Sequence, residues 1–158
     1  MLFTSDFMFD SNGDILRRRL QEFESFRKER LPVLHKFAET LGFPDPHLIL
    51  LKPAEFISGI SDFFSNHVIE EDDRVWLLTR IGYFLGEFFI CTYDGCWMVD
   101  EDAGSKTFSR HIVGDFSLVD KYGVDPFELA ALYVDTPAPR SLKLQLDDFL
   151  TNNDWPIL

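Results

Sequence analysis

The chain of 158 residues has little of what small active sites are usually made from. Its only cysteines are Cys91 and Cys96. A zinc site needs four ligands, and one C-x4-C pair across a turn signal supplies two. The four histidines, His35, His47, His67 and His111, never fall in H-x3–5-H spacing. No metal and no cofactor are therefore expected, and both thiols are expected to be buried and inert. Two cysteines are also too few for a secreted disulfide framework. Phosphate-binding and nucleophile motifs are missing too: there is no Walker A loop, no G-x-G-x-x-G, no G-x-S-x-G and no H-E-x-x-H. The acidic turn Asp100-Glu101-Asp102 lacks the ligand spacing and closing glutamate of a calcium loop.

Positive charge is scarce. Fifteen basic residues face 27 acidic ones, a net charge of −12. The balance is uneven: residues 1–50 carry a net −1 and residues 51–158 a net −11. Phosphate backbones are repelled by such a surface, so no nucleic-acid partner is expected. A basic protein partner is attracted and steered by it. The first residues, MLFTSDFMFDSNGD, have no basic n-region and no unbroken apolar stretch. A signal peptide is not expected, and the location expected is cytoplasmic, with reduced thiols.

An uninterrupted membrane span is missing as well. The densest apolar run is GYFLGEFFICTYDGCW at 82–97. A span needs about 20 apolar residues. Arg80 and Glu87 interrupt the helix that carries this run, and Asp94-Gly95 ends it early, so no membrane association is expected.

What the chain does have is apolar residues at 46%, charged residues at 27% and 17 phenylalanines. That composition is globular, with enough aromatic mass for a large core and some left for an exposed contact patch. One domain is expected over 1–158: a lead-in at 1–13, a helical part at 14–90, a ribbon at 91–116 and C-terminal helices at 125–150.

Periodicity fills in that outline. Asp14 is expected to cap a first helix over 14–30, with apolar steps from Leu16 through Leu20, Phe23 and Phe26. Pro32 is expected to break it and open a second helix at 32–41, ended by Gly42. The Arg17-Arg18-Arg19 triplet reads as a solvated face beside Glu22 and Glu24. Residues 47–51 read as a short strand. Pro53 opens a helix with Phe56, Ile57, Ile60, Phe63 and Phe64 on one face.

The acids Glu70, Glu71, Asp72 and Asp73 suit the positive end of the next helix, over about 71–90. On its wheel, Gly82, Gly86, Thr79, Tyr83, Trp76, Glu87 and Arg80 share the less apolar arc. Gly82 and Gly86 predict a close helix crossing there. Asp94-Gly95 turns into a strand with Trp97 and Val99, paired with a second strand at 107–116. Asp125-Pro126 starts a helix to about 134, and Ser141 starts the last one, burying Leu142, Leu146, Phe149 and Leu150. The fold class is α+β, mostly helical with a small antiparallel ribbon of two to three strands.

The order IGYFLGEFFICTYDGCWMVDED, a second strand and then DPFELAALYV resembles a class of poorly characterised bacterial domains. Their pattern is a helix ending in LG-x-x-LGE, a GG-x-W turn and strand, and a Pro-Phe helix. The resemblance covers about 76–150. Ile-Gly replaces the first Leu-Gly here, and Asp-Gly-Cys-Trp replaces Gly-Gly-x-Trp. The resemblance implies an immunity-type, toxin-neutralising protein.

The function expected is thus a non-enzymatic acidic protein-binding module. Its contact residues would be Asp100, Glu101 and Asp102 together with Glu70, Glu71, Asp72 and Asp73. One alternative is a small enzyme with a pocket at Arg80, Tyr83 and Glu87 and His111 nearby in space. Another is a structural subunit that oligomerises through the Gly82/Gly86 face.

Overall fold

The computed structural model describes residues 11–157 of the chain. Most of the expected lead-in therefore lies outside the described residues. Helix α1 spans Asn12–Thr40 without a break. Ser11, not Asp14, is its cap: the Ser11 hydroxyl accepts from the Asp14 amide at 3.1 Å. The expected break at Pro32 does not occur. Proline inside a helix costs about 3 kcal/mol through its lost hydrogen bond and ring clash. Both halves of α1 are anchored well enough to offset that. Phe26 packs on Tyr83, Trp97 and Phe127, and Leu34, Phe37 and Ala38 are buried beyond the proline. Gly42 ends the helix as expected, at φ +86°. The Gly42 amide donates to Glu39 and the Phe43 amide to Ala38, which satisfies two of the last carbonyls.

The strand expected at 47–51 is instead a 3₁₀ turn, Pro46–Leu50, and Pro53 opens a second one, Pro53–Phe56. Each begins with a proline, whose fixed φ suits a first turn. Helix α2 follows at Ile57–Phe64. Phe56, Ile60 and Phe64 are buried as expected, whereas Phe63 is exposed.

Helix α3, Glu71–Tyr93, runs a turn further than the sequence suggested. Asp94 then takes the left-handed conformation at φ 55°. The expected two-arc wheel is corrected: every residue from 81 to 89 is buried, Gly82, Tyr83, Gly86 and Glu87 included. A helix covered all round is the centre of the core. By length and composition alone α3 is apolar enough to cross a membrane, and 56% of its most apolar window is buried inside the protein.

Both glycines make room for aromatic rings, and the ring at Gly82 belongs to Phe127 in the helix Pro126–Val134, so the expected close helix approach is present there. A Cβ on Gly82 would lie 2.1 Å from the Phe127 ring, and one on Gly86 would lie 1.9 Å from Trp97. The face proposed for oligomerisation is therefore filled by the chain's own side chains.

Strands β1 (Cys96–Val99), β2 (His111–Gly114) and β3 (Gly123–Val124) form one antiparallel sheet in the order β1-β2-β3. Trp97 faces Val113 and Val99 faces His111 across the first pair, and Val113 faces Val124 across the second. The second strand is shorter than the expected 107–116. Residues 107–110 curl instead, with Ser109 at φ 67° and its amide donating to the Asp100 carbonyl. Helix α4, Pro126–Val134, is capped by the Asp125 carboxylate, and α5, Leu142–Asn152, by the Ser141 hydroxyl. Leu142, Leu146 and Leu150 of α5 are buried, while Phe149 is half-buried. The fold is α+β, mostly helical with a three-stranded antiparallel sheet.

The phenylalanines are used mostly inside. Trp155 collects Phe89, Tyr93 and Phe116, with ring centroids 4.9–5.2 Å away. Among the described phenylalanines only Phe63 is exposed, so no phenylalanine patch forms among the described residues.

Candidate functional site

The acids at 70–73 open helix α3. Unpaired amides in a first turn carry partial positive charge, so carboxylates are stabilising there. Glu70 precedes the helix in extended conformation, and its side chain makes no capping hydrogen bond. Glu70, Glu71, Asp72 and Asp73 are all exposed. Apolar side chains frame them: Val68 is 78% exposed, Val75 68% and Trp76 41%. Arg74 feels the Glu71 charge but is chiefly committed elsewhere. It turns to Asp135 just beyond α4, with Nε and Nη2 donating to the two carboxylate oxygens at 2.7 and 2.8 Å. Such a two-point pair ties α3 to the end of α4.

The second acidic stretch has a different fate. Asp100 has no solvent exposure at all, which corrects its place among the contact residues. Its carboxylate accepts from the Asp102 amide at 3.0 Å, the Thr107 hydroxyl at 2.5 Å and the Tyr122 hydroxyl at 2.7 Å. Burial alone would raise the Asp100 carboxyl. Hydrogen bonds from Ser105, Thr107, Tyr122 and the Asp102 amide overcome it and hold the pKa at about 2. The same bond to Asp100, aided by burial, pushes Tyr122 up to about 12. Asp100 thus organises the 100–110 loop and joins it to the approach to β3. Glu101 and Asp102 remain at the surface. Asp102 also accepts from the Gly104 amide at 2.9 Å within the turn.

The residues of the expected enzyme pocket are not brought together as one. Arg80 folds back along α3: its guanidinium sits 4.3 Å from the Trp76 ring centroid, and Nη1 donates to the Trp76 carbonyl. Glu87 points into the core at 5% exposure, paired with Arg30 at 3.1 Å and accepting from the Trp97 indole at 3.3 Å. Burial raises the Glu87 pKa, while Arg30 and Trp97 pull the other way. Arg80 and Glu87 therefore have separate partners. Tyr83 donates to the Phe26 carbonyl at 3.0 Å, and burial, ahead of the Glu29 charge, pushes it up to about 12. The His111 ring lies tilted against Phe26 with centroids 4.1 Å apart, and its Nε2 is 3.4 Å from the Arg19 carbonyl. Burial lowers its pKa. Tyr83, Glu87 and His111 surround the Phe26 and Trp97 rings and hold α1 to α3 and the sheet.

The thiols correct another expectation. Cys91 and Cys96 are free and exposed rather than buried. Partial desolvation raises both pKa values, so both remain protonated thiols at neutral pH. Among the described residues, no group of three or more His, Cys, Asp or Glu is placed to hold a metal ion.

Sequence reasoning missed two inward-reaching cations, half-buried Arg30 and buried Arg140. Arg30 reaches Glu87 across the α1–α3 contact, and Arg140 reaches three carbonyls from the Pro-rich linker. Neither residue sits in a local pattern that marks it. The Asp100 hub had a signal in the Ser105, Thr107 and Ser109 hydroxyls that follow an aspartate, since short polar side chains favour such turns. Comparison with protein-family models, with curated proteins and with solved structures found no match for this chain.

Proposed function

We propose that the chain is a non-enzymatic acidic binding module. It occludes a basic site on a partner protein, in the manner of an immunity-type, toxin-neutralising protein of the cytoplasm. The observation that carries this reading is the surface at 70–73. Four consecutive exposed carboxylates lie beside exposed Val68, Val75 and Trp76, and the one adjacent cation, Arg74, is engaged by Asp135. Charge at such a surface speeds encounter and rejects acidic partners, while apolar anchors hold the complex once formed. Trp76 is the strongest anchor by type, and Arg80 stacked on it fixes its ring. Glu101 and Asp102 extend the negative field but lack such anchors.

The test is capture of a basic protein from a lysate of the source organism at low and moderate salt. The wild-type chain retains such a protein, and a chain carrying Glu71→Lys and Asp72→Lys does not. If no basic protein is retained at either salt concentration, the reading is wrong.

A further inference from the structure

Arg140 lies in the linker between α4 and α5 and keeps only 7% of its surface exposed. Its Nε donates to the Thr136 carbonyl at 2.8 Å, and Nη1 donates to those of Phe64 at 2.8 Å and His67 at 2.7 Å. These carbonyls lie at or just beyond the C-terminal ends of α4 and α2, where partial negative charge collects. No carboxylate pairs with Arg140 among the described residues, and its Nη2 makes no hydrogen bond yet is not closed off from solvent. A buried charge is normally paired by an opposite one, and carbonyl dipoles supply only part of that.

Arg140 lines a cavity of about 460 Å³ with apolar walls from Val68, Ile69, Val134, Pro137 and Ala138. The other charged groups on its lining are committed or open to water. Arg74 and Asp135 satisfy each other, Glu71 is exposed and acts on Arg74, and His67 stacks on Phe63. Arg140 is the one lining cation without a counter-ion.

We propose that this cavity binds a small monocarboxylate with an apolar body. The guanidinium presents its free Nη2 edge to a carboxylate oxygen, and the five apolar residues take the hydrocarbon part. A single charge is selected because the neighbouring acids at 70–73 repel a multiply charged anion such as phosphate. The cavity shares Val68 and Glu71 with the proposed protein-binding surface, but the small-ligand titration needs no partner protein, so the two readings fail independently.

The experiment is a titration of the full chain with isobutyrate at low ionic strength, followed by ¹H–¹⁵N NMR. Isobutyramide and inorganic phosphate serve as parallel titrants. Saturable shifts are expected at the Arg140 side chain and at the Val68, Ile69 and Ala138 amides, with a Kd on the order of millimolar for so small a ligand. The neutral amide and phosphate are expected to bind at least ~10-fold more weakly, a difference of about 1.4 kcal/mol. Arg140→Gln would also strip three carbonyls of their donor, so the variant of choice is Val68→Glu. It leaves Arg140 in place, sits at an exposed rim position and offers the guanidinium an internal carboxylate. Val68→Glu is expected to weaken isobutyrate binding at least ~10-fold. The proposal is overturned if no saturable shift appears, if isobutyramide or phosphate binds as tightly as isobutyrate, or if Val68→Glu leaves affinity unchanged.

Discussion

The acids at 70–73 and those at 100–102 look alike in sequence, and the fold treats them oppositely. The first run lies open at the start of α3, and its side chains make no capping bond from Glu70. The second is built around a carboxylate with no exposure, bonded to Thr107, Tyr122 and the Asp102 amide. A cluster of negative charge is thus not a surface by default. What separates the two is the company each keeps. A helix start meets the needs of carboxylates through backbone dipoles and leaves the side chains free. A long irregular loop has no ladder of its own, so one aspartate is drawn inward to supply acceptors.

The largest expected effect falls on the closed side of that contrast. Asp100→Asn replaces an ionised acceptor by an amide that brings two donors into a ring of donors. It should cost about 3 kcal/mol, read as a lowered midpoint in urea with an unchanged slope. A stability close to wild type would mean that Asp100 is no hub.

Acid titration probes the same group without mutation. Its folded pKa of about 2 lies below its ordinary 3.8. The folded state therefore holds this proton less tightly than the unfolded state. The stabilisation is complete above the ordinary value and is lost as pH falls through about 2. The shift corresponds to about 2 kcal/mol. In chemical denaturation from pH 5 to pH 2, the wild type should lose that increment and Asp100→Asn should not. Parallel pH profiles for the two proteins would contradict the assignment.

Tyr122→Phe is a milder probe. It removes one of the donors that hold Asp100 down, so the acid transition should move to higher pH while the fold persists. An unmoved transition would show that the Tyr122 bond is incidental. The smallest stability effect belongs to the open side. Glu71→Lys with Asp72→Lys should lower the melting temperature by no more than ~5 °C, because it reverses first-turn charges worth about 0.3–1 kcal/mol each and breaks no hydrogen-bonded hub. A larger loss would make the 70–73 run structural and erase the contrast.

The sequence carried the outline of the fold through strong periodicity and strong punctuation. Gly42, Asp94-Gly95, Asp125-Pro126 and Ser141 each act where their local chemistry says they should. The misses share a cause in tertiary contacts. Pro32 breaks no helix because Phe26 on one side and Phe37 on the other are held by the rest of the core. The 107–110 segment leaves the strand because its backbone bonds return to Asp100 and within its own turn. Gly82 and Gly86 did signal a close approach, but the partners are the Phe127 and Trp97 rings, which the spacing alone does not name. The acidic site was partly legible: Glu70, Glu71, Asp72, Asp73, Glu101 and Asp102 are exposed as charge patterning expects, and the seventh acid, Asp100, was taken inward by hydroxyls 7 and 22 positions away.

The most direct test of the central claim is calorimetric titration of the captured basic partner against two charge-reversed chains. One carries Glu71→Lys and Asp72→Lys, the other Glu101→Lys and Asp102→Lys. The first should bind at least ~10-fold more weakly and the second at most ~2-fold, since only the first pair adjoins the Val68, Val75 and Trp76 anchors. Equal losses, or a larger loss from the 101/102 pair, would contradict it.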